Sequence, residues 1–217
     1  MKKLIIICEG KTELLFCSTI LELYFRQINI QIEYPLISHS NGGIVKWVHL
    51  KPQIETNLLI DSTCFVTTFI DFYGIYEHHD FPDWRQSLAE PSKSIKMIVL
   101  ENGMRNSIAP NLQPRFIPYI QLHEFEALIF SDYSSFEEYY EPREANFNRL
   151  REICSNNPNP EEINDSPTTA PSKRLETNIR RYDKVTHGPD ICEIIGLPKI
   201  RSKCPRFHEW ITKLERI

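Results

Sequence analysis

No Cys-x-x-Cys pair occurs in this chain of 217 residues, which argues against a zinc ribbon. The six cysteines, Cys8, Cys17, Cys64, Cys154, Cys192 and Cys204, are scattered. Cys8, Cys17 and Cys64 fall inside apolar runs and read as small core residues of a reduced, cytosolic protein. No apolar run is long enough to span a membrane. Met1-Lys2-Lys3 ahead of an apolar stretch has the outline of a secretion signal. That stretch is too short, and Glu9-Gly10-Lys11-Thr12-Glu13 follows at once. A P-loop and internal repeats are missing too. So is an excess of positive charge: the formal net charge is −4, and no global field draws the chain to nucleic acid. The charge is uneven, however. From Lys173 onward eleven Lys and Arg face six Asp and Glu.

What is present is an alternation of apolar runs and helical patterns. Residues 4–8, 30–37, 64–70 and 116–122 read as strands, the last near an edge or bulged because Pro118 cannot donate a ladder hydrogen bond. A helix of about five turns is expected from Thr12, its cap. Others are expected over 45–60, bent or interrupted at Pro52, over 92–104, ending near Gly103, over 124–130 and over 136–153. The stretch 38–43 reads as a loop. Beyond Ser155 to Pro160 come a polar segment over 161–171 and short helices broken at Gly188-Pro189, Gly196-Leu197-Pro198 and Pro205. This predicts an α/β fold, a parallel sheet of about four strands flanked by helices. A core over 1–135 carries a mostly helical C-terminal extension over 136–217, packed on it as one compact unit.

Each central strand ends in a carboxylate. Glu9 follows the first run, Asp71 the third, and Glu124 and Glu126 the fourth. The carboxyl ends of parallel strands share one edge, where sites form, and carboxylates gathered there suit a hard divalent cation. Glu13 is accounted for well by the helix dipole, with a place in the site as the alternative. His123 and Glu126 fall one turn apart if a helix starts at His123. Lys173 and Arg174 directly follow Ser172 as candidate anion contacts, with Lys184 and His187 further on. Tyr73 either donates to a ligand or packs in its turn. Arg206 stands among aromatic residues that could stack on bases, although Phe207 and Trp210, three residues apart, suit packing on the sheet better.

Taken together, Glu9-Gly10-Lys11-Thr12-Glu13, Phe69-Ile70-Asp71-Phe72-Tyr73-Gly74, Gln121-Leu122-His123-Glu124-Phe125-Glu126-Ala127-Leu128, Pro160-Glu161-Glu162-Ile163-Asn164-Asp165, Ala170-Pro171-Ser172-Lys173-Arg174, Lys184-Val185-Thr186-His187-Gly188-Pro189 and Arg201-Ser202-Lys203-Cys204-Pro205-Arg206-Phe207 resemble a bacterial family of unknown function in the TOPRIM-like group. That group is similar to RloB-type and OLD-type proteins. The resemblance implies a Mg²⁺ or Mn²⁺ site in which Glu9 matches the glutamate after the first strand and Asp71 the first Asp of a D-x-D pair. Tyr73 replaces the second Asp, and Glu124 or Glu126 is the expected substitute. The implied activity is metal-dependent phosphodiester cleavage in DNA or RNA. Glu9, Asp71 and an acid of the 123–126 block would be ligands, Lys173, Arg174 or Lys184 would neutralise phosphate charge, and His123 would shuttle a proton. Glu13, Tyr73, Ser172, His187 and Arg206 complete the expected substrate contacts. The resemblance also implies an ATP-binding partner protein and a part in defence against phage, with self-association left open. The rival expectation is an inactive regulatory module of an ATPase complex.

Overall fold

The first strand, β1 (Lys2–Cys8), is buried without a break from Leu4 to Cys8, as a parallel strand covered on both faces must be. The computed structural model describes residues 2–217 except 39, 41, 42, 164, 165 and 167. The expected loop over 38–43 and the polar segment over 161–171, with Asn164 and Asp165 of the family block, thus lie partly outside the described residues. β1 pairs in parallel with β2 (Ile30–Glu33) on one side and β3 (Phe65–Asp71) on the other. β3 then pairs with β4 (Phe116–Ile117) and β5 (Ile120–Gln121). The strand order is β2-β1-β3-β4, with β5 also on β3.

Two of the expected strands are shorter than their apolar runs. Pro35 interrupts the second, which rejoins the sheet only at Leu36, opposite Cys8. Pro118 splits the fourth into β4 and β5. The register on β3 nevertheless continues, because Thr68 fills the gap: its hydroxyl donates to the Tyr119 carbonyl (2.9 Å) and accepts the Tyr119 N–H (3.0 Å).

The helices bring several corrections. Gly10, not Thr12, precedes α1 (Lys11–Phe16), and Thr12 is buried inside it. A π-helical stretch (Cys17–Leu21) joins α1 to α2 (Glu22–Gln27). There the hydroxyls of Ser18 and Thr19 both donate to the Leu15 carbonyl, competing with the backbone ladder. α3 (Trp47–Ile60) passes through Pro52, whose lost hydrogen bond lies on the exposed side. A short α4 (Trp84–Leu88) precedes α5 (Lys93–Ser107), which runs on past Gly103. That glycine lets the helix close on the loop before α4, where an added Cβ would come within 2.8 Å of the Pro82 carbonyl. The 124–130 helix is a 3₁₀ stretch (Phe125–Ser131). The 136–153 helix is two, α6 (Ser134–Tyr139) and α7 (Phe147–Asn156), parted ahead of Pro142, as a proline requires of the residue before it. α8 (Pro171–Asn178), α9 (Lys184–Ile195), α10 (Leu197–Lys203) and α11 (Pro205–Glu215) follow. α9 runs unbroken through Gly188-Pro189, because Gly188 lets it approach Phe125 and Thr12, 3.3 and 3.5 Å from where a Cβ would stand.

Helices cover both faces of the sheet. Ile5, Ile7, Val66 and Ile70 point toward α3 and α5, where Leu50, Ile54, Met97 and Leu100 meet them. Leu4, Ile6, Cys8 and Phe69 point the other way, into a cluster with Phe16, Phe125, Ile191, Phe207, Trp210 and Leu214. Trp210 stacks on Tyr119 with ring centres 4.4 Å apart, and its indole donates to Thr67 (2.9 Å). The C-terminal segment is therefore a full layer of the fold. Each large apolar side chain it buries is worth about 1.5–3 kcal/mol.

Candidate functional site

Because β1, β3 and β5 are parallel, their carboxyl ends meet at one edge. Glu9 leaves β1 there, Asp71 ends β3, and Glu126 lies just beyond β5 in the 3₁₀ stretch. The Asp71 N–H donates to Glu9 Oε2 (2.8 Å), tying the two strand ends together. Glu13, in the first turn of α1, accepts the Gly10 N–H (2.8 Å). Lys184 enters from the C-terminal layer as the first residue of α9, which Asp183 caps by accepting the Val185 and Thr186 N–H groups. A cation at that end of a helix opposes the dipole, so its placement needs another cause, and the carboxylates supply one. Glu9, Gly10, Lys11, Thr12, Glu13, Asp71 and Lys184 line a cavity of about 520 Å³, together with Leu36, Ile37, Ser40 and Gly43.

The electrostatics are those of crowded acids. Burial, and then Glu9, push the Glu13 carboxyl up to about 7. Burial likewise raises Glu126 to about 7, with Lys184 opposing and Glu124 adding to the rise. Asp71 is raised well above its ordinary value by burial and by Glu13, Glu9 and Glu126, against the Phe125 N–H. Glu9 is raised by burial, against the Asp71 N–H and Lys184. Burial lowers Lys184, but Glu126, Asp71, Glu13 and Glu124 more than offset it. One further detail stands out chemically: Asp71 Oδ1 is buried without a hydrogen-bond partner among the described residues. A buried carboxylate oxygen left without a donor is costly, and a bound cation would satisfy it.

The two acids beyond the fourth strand separate. Both Glu124 oxygens are engaged by Ser172, its N–H at 2.9 Å and its hydroxyl at 3.0 Å, so Glu124 and Ser172 fasten the start of α8. Glu126 is near enough to Glu9, Asp71 and Glu13 to act on them through its charge, but like Glu124 it is not among the described residues lining the cavity. His123 is buried with a left-handed backbone, φ 68°. Its carbonyl accepts the Tyr73 N–H, and its Nε2 lies 3.4 Å from Lys93 Nζ. His123 is not among the described residues lining the cavity.

Lys173 is exposed and paired with Glu176, which raises its proton affinity, with smaller additions from Glu124 and Tyr73. Arg174 donates to the Thr169 carbonyl. His187 sits within hydrogen-bond reach of the Tyr140 hydroxyl (2.8 Å). Arg206 is buried, 2.5 Å from Glu101, with its N–H on Glu161. It ties α11 to α5 and does not reach the cavity. Sequence reasoning passed over Tyr182, whose buried hydroxyl has no partner among the described residues and whose proton affinity burial and Glu126 both raise. Its only sequence signal is its place two residues before Lys184.

Among the described residues, no group of three or more His, Cys, Asp or Glu side chains is placed to hold a metal ion as it stands. Nor is any helix long and apolar enough to cross a membrane. A family model described as a domain of unknown function, DUF4276, matches residues 8–215. Searches of curated proteins and of solved structures return no match.

Proposed function

The chain belongs to the DUF4276 family, and from that premise and the site geometry we propose that it is a divalent-metal-dependent phosphodiesterase acting on nucleic acid. The observation that carries this reading is the buried, partnerless Asp71 Oδ1 beside Glu9, Glu13 and Glu126. These donors suit Mg²⁺ or Mn²⁺ in kind. Mg²⁺ is commonly held through one or two carboxylates while keeping several waters, so Glu9 and Asp71 suffice without a third ligand already in place. Glu126 takes the role of the acid that Tyr73 replaces in the TOPRIM-like pattern, since Glu124 is engaged by Ser172. When bound, the ion supplies a Lewis acid for a phosphoryl oxygen and acidifies a water toward neutral pH.

The chain's own residues do the rest. Glu13 and Glu126, with carboxyls raised to about 7, are matched to accept a proton from the attacking water near neutral pH. The Lys184 ammonium faces the negative charge that grows on the phosphate. The TOPRIM-like resemblance extends the proposal: a cytoplasmic effector in anti-phage defence, working with an ATP-binding partner. That extension is supported by the motif blocks alone.

A second reading, a regulatory module with a decayed site, is favoured by Tyr73 and by the lack of a ready three-ligand group among the described residues. Calorimetry with Mn²⁺ separates the two. Wild type is expected to bind, and Asp71→Asn to weaken binding by tenfold or more; equal heats from both would favour the module. The activity is then tested on plasmid, single-stranded DNA and bulk tRNA with Mg²⁺ and with Mn²⁺. Cleavage by wild type and none by Glu9→Ala is the expected outcome, and equal cleavage by the two would sink the assignment.

A further inference from the structure

A second charged feature lies close to the cavity in the chain. Segments 144–146 and 178–180 run antiparallel, joined by a bridge between Ala145 and Ile179. The Asn146 N–H donates to the Asn178 carbonyl, and the Arg180 N–H to the Glu144 carbonyl, both at 2.8 Å. This pairing brings Arg143 beside Arg180 and Arg181, and the three line a notch of about 200 Å³ with Glu144. All three arginines are exposed, and none forms an ion pair among the described residues. The Glu144 carboxylate turns back to accept the Glu141 N–H (3.0 Å). Arg181 holds a left-handed backbone, φ 56°, uncommon for a residue other than Gly, Asn or Asp. Such strain persists only where the surroundings enforce it, and it gathers at binding sites.

We propose that this notch holds a phosphate of the nucleic-acid strand, a subsite separate from the acidic cavity. The inference rests on the reading of that cavity as the place where a phosphodiester is handled. Guanidinium is the side chain best shaped to fork onto phosphate oxygens. Only two residues separate Arg181 from Lys184, so their Cα atoms are at most about 11 Å apart. A stacked strand rises about 3.4 Å per nucleotide. The notch therefore suits a phosphate a few nucleotides from the bond at Lys184, and the substrate is a polymer rather than a dinucleotide.

The test reads binding with cleavage silenced. Wild type, R143A/R180A/R181A and R143K/R180K/R181K would be titrated in EDTA against a labelled single strand of about twelve nucleotides, as DNA and as RNA, between about 50 and 200 mM salt. A labelled dinucleotide is the short control. The alanine triple is expected to weaken binding of the long strand tenfold or more and to lower its salt slope by about 0.7, the value for one lost phosphate contact. The lysine triple should keep most of the slope, and the dinucleotide should respond to neither. Circular dichroism shows whether the variants are folded. Salt-independent binding by wild type, or an unchanged slope in a folded alanine triple, overturns the proposal. Loss of the metallohydrolase reading, seen as no cleavage with metal, would leave this binding result standing.

Discussion

At the scale of single residues, the cavity is an arrangement that works against folding. Glu13 is almost wholly buried, and its carboxyl is raised from 4.5 to about 7. The folded state therefore binds more protons than the unfolded state between those values, and stability falls as pH rises through that window. Below about 4.5 the group is neutral in both states and the penalty is absent; above about 7 it is complete. Glu13→Gln removes the ionised form and keeps an oxygen for the Gly10 N–H. It is expected to raise stability by about 1–3 kcal/mol at pH 8, since each pH unit across that window carries about 1.4 kcal/mol, and to change little at pH 5. Guanidinium midpoints at the two pH values check this. A larger gain at pH 5 than at pH 8 would show that the carboxyl is not the source of strain. The carboxylates were legible from sequence because each follows an apolar run. The engagement of Glu124 was not, since it depends on Ser172, 48 positions away.

At the scale of elements, local pattern and long-range packing divide the outcome. β1 and β3 were legible because strands buried on both faces are continuous apolar runs. Pro118 announced an edge strand or a break, and β4 lies at the sheet edge. The repair came from Thr68 on another strand, which no local pattern contains. Gly188-Pro189 reads locally as a helix end, yet contacts from Phe125 and Thr12 keep α9 continuous. The repair at Pro118 can be tested directly. Thr68→Val keeps the shape but strands a buried Tyr119 N–H and carbonyl. The expected loss is about 2–4 kcal/mol, at about 1–3 kcal/mol per unsatisfied group. Thr68→Ser keeps the hydroxyl and should lose clearly less. Equal losses in the two variants, by denaturant titration, would mean that the methyl group and not the bridge supports β5.

At the scale of the whole molecule, the 136–217 segment decides whether the first 135 residues form a folding unit. The charge and the breaks of that segment suggest an appendage. Its apolar residues, however, complete the layer over Leu4, Ile6, Cys8 and Phe69. Without Phe207, Trp210, Ile211 and Leu214, that face of β1 and β3 would keep only the partial cover of residues such as Phe16 and Phe125. Exposed apolar surface on that scale is rarely tolerated by a monomer. Lys184 reaches the acidic cavity from the same segment, so the layer that finishes the core also delivers the cation to the site. Two consequences can be measured together. A 1–135 fragment is expected to show no cooperative unfolding transition. In the intact chain, with Trp47 and Trp84 replaced by Phe, Trp210 fluorescence should report the same guanidinium midpoint as circular dichroism, because both layers share one sheet. A folded fragment, or a Trp210 transition that precedes loss of the helical signal, would make the C-terminal segment a separate unit, and the site would then be assembled by docking rather than by folding.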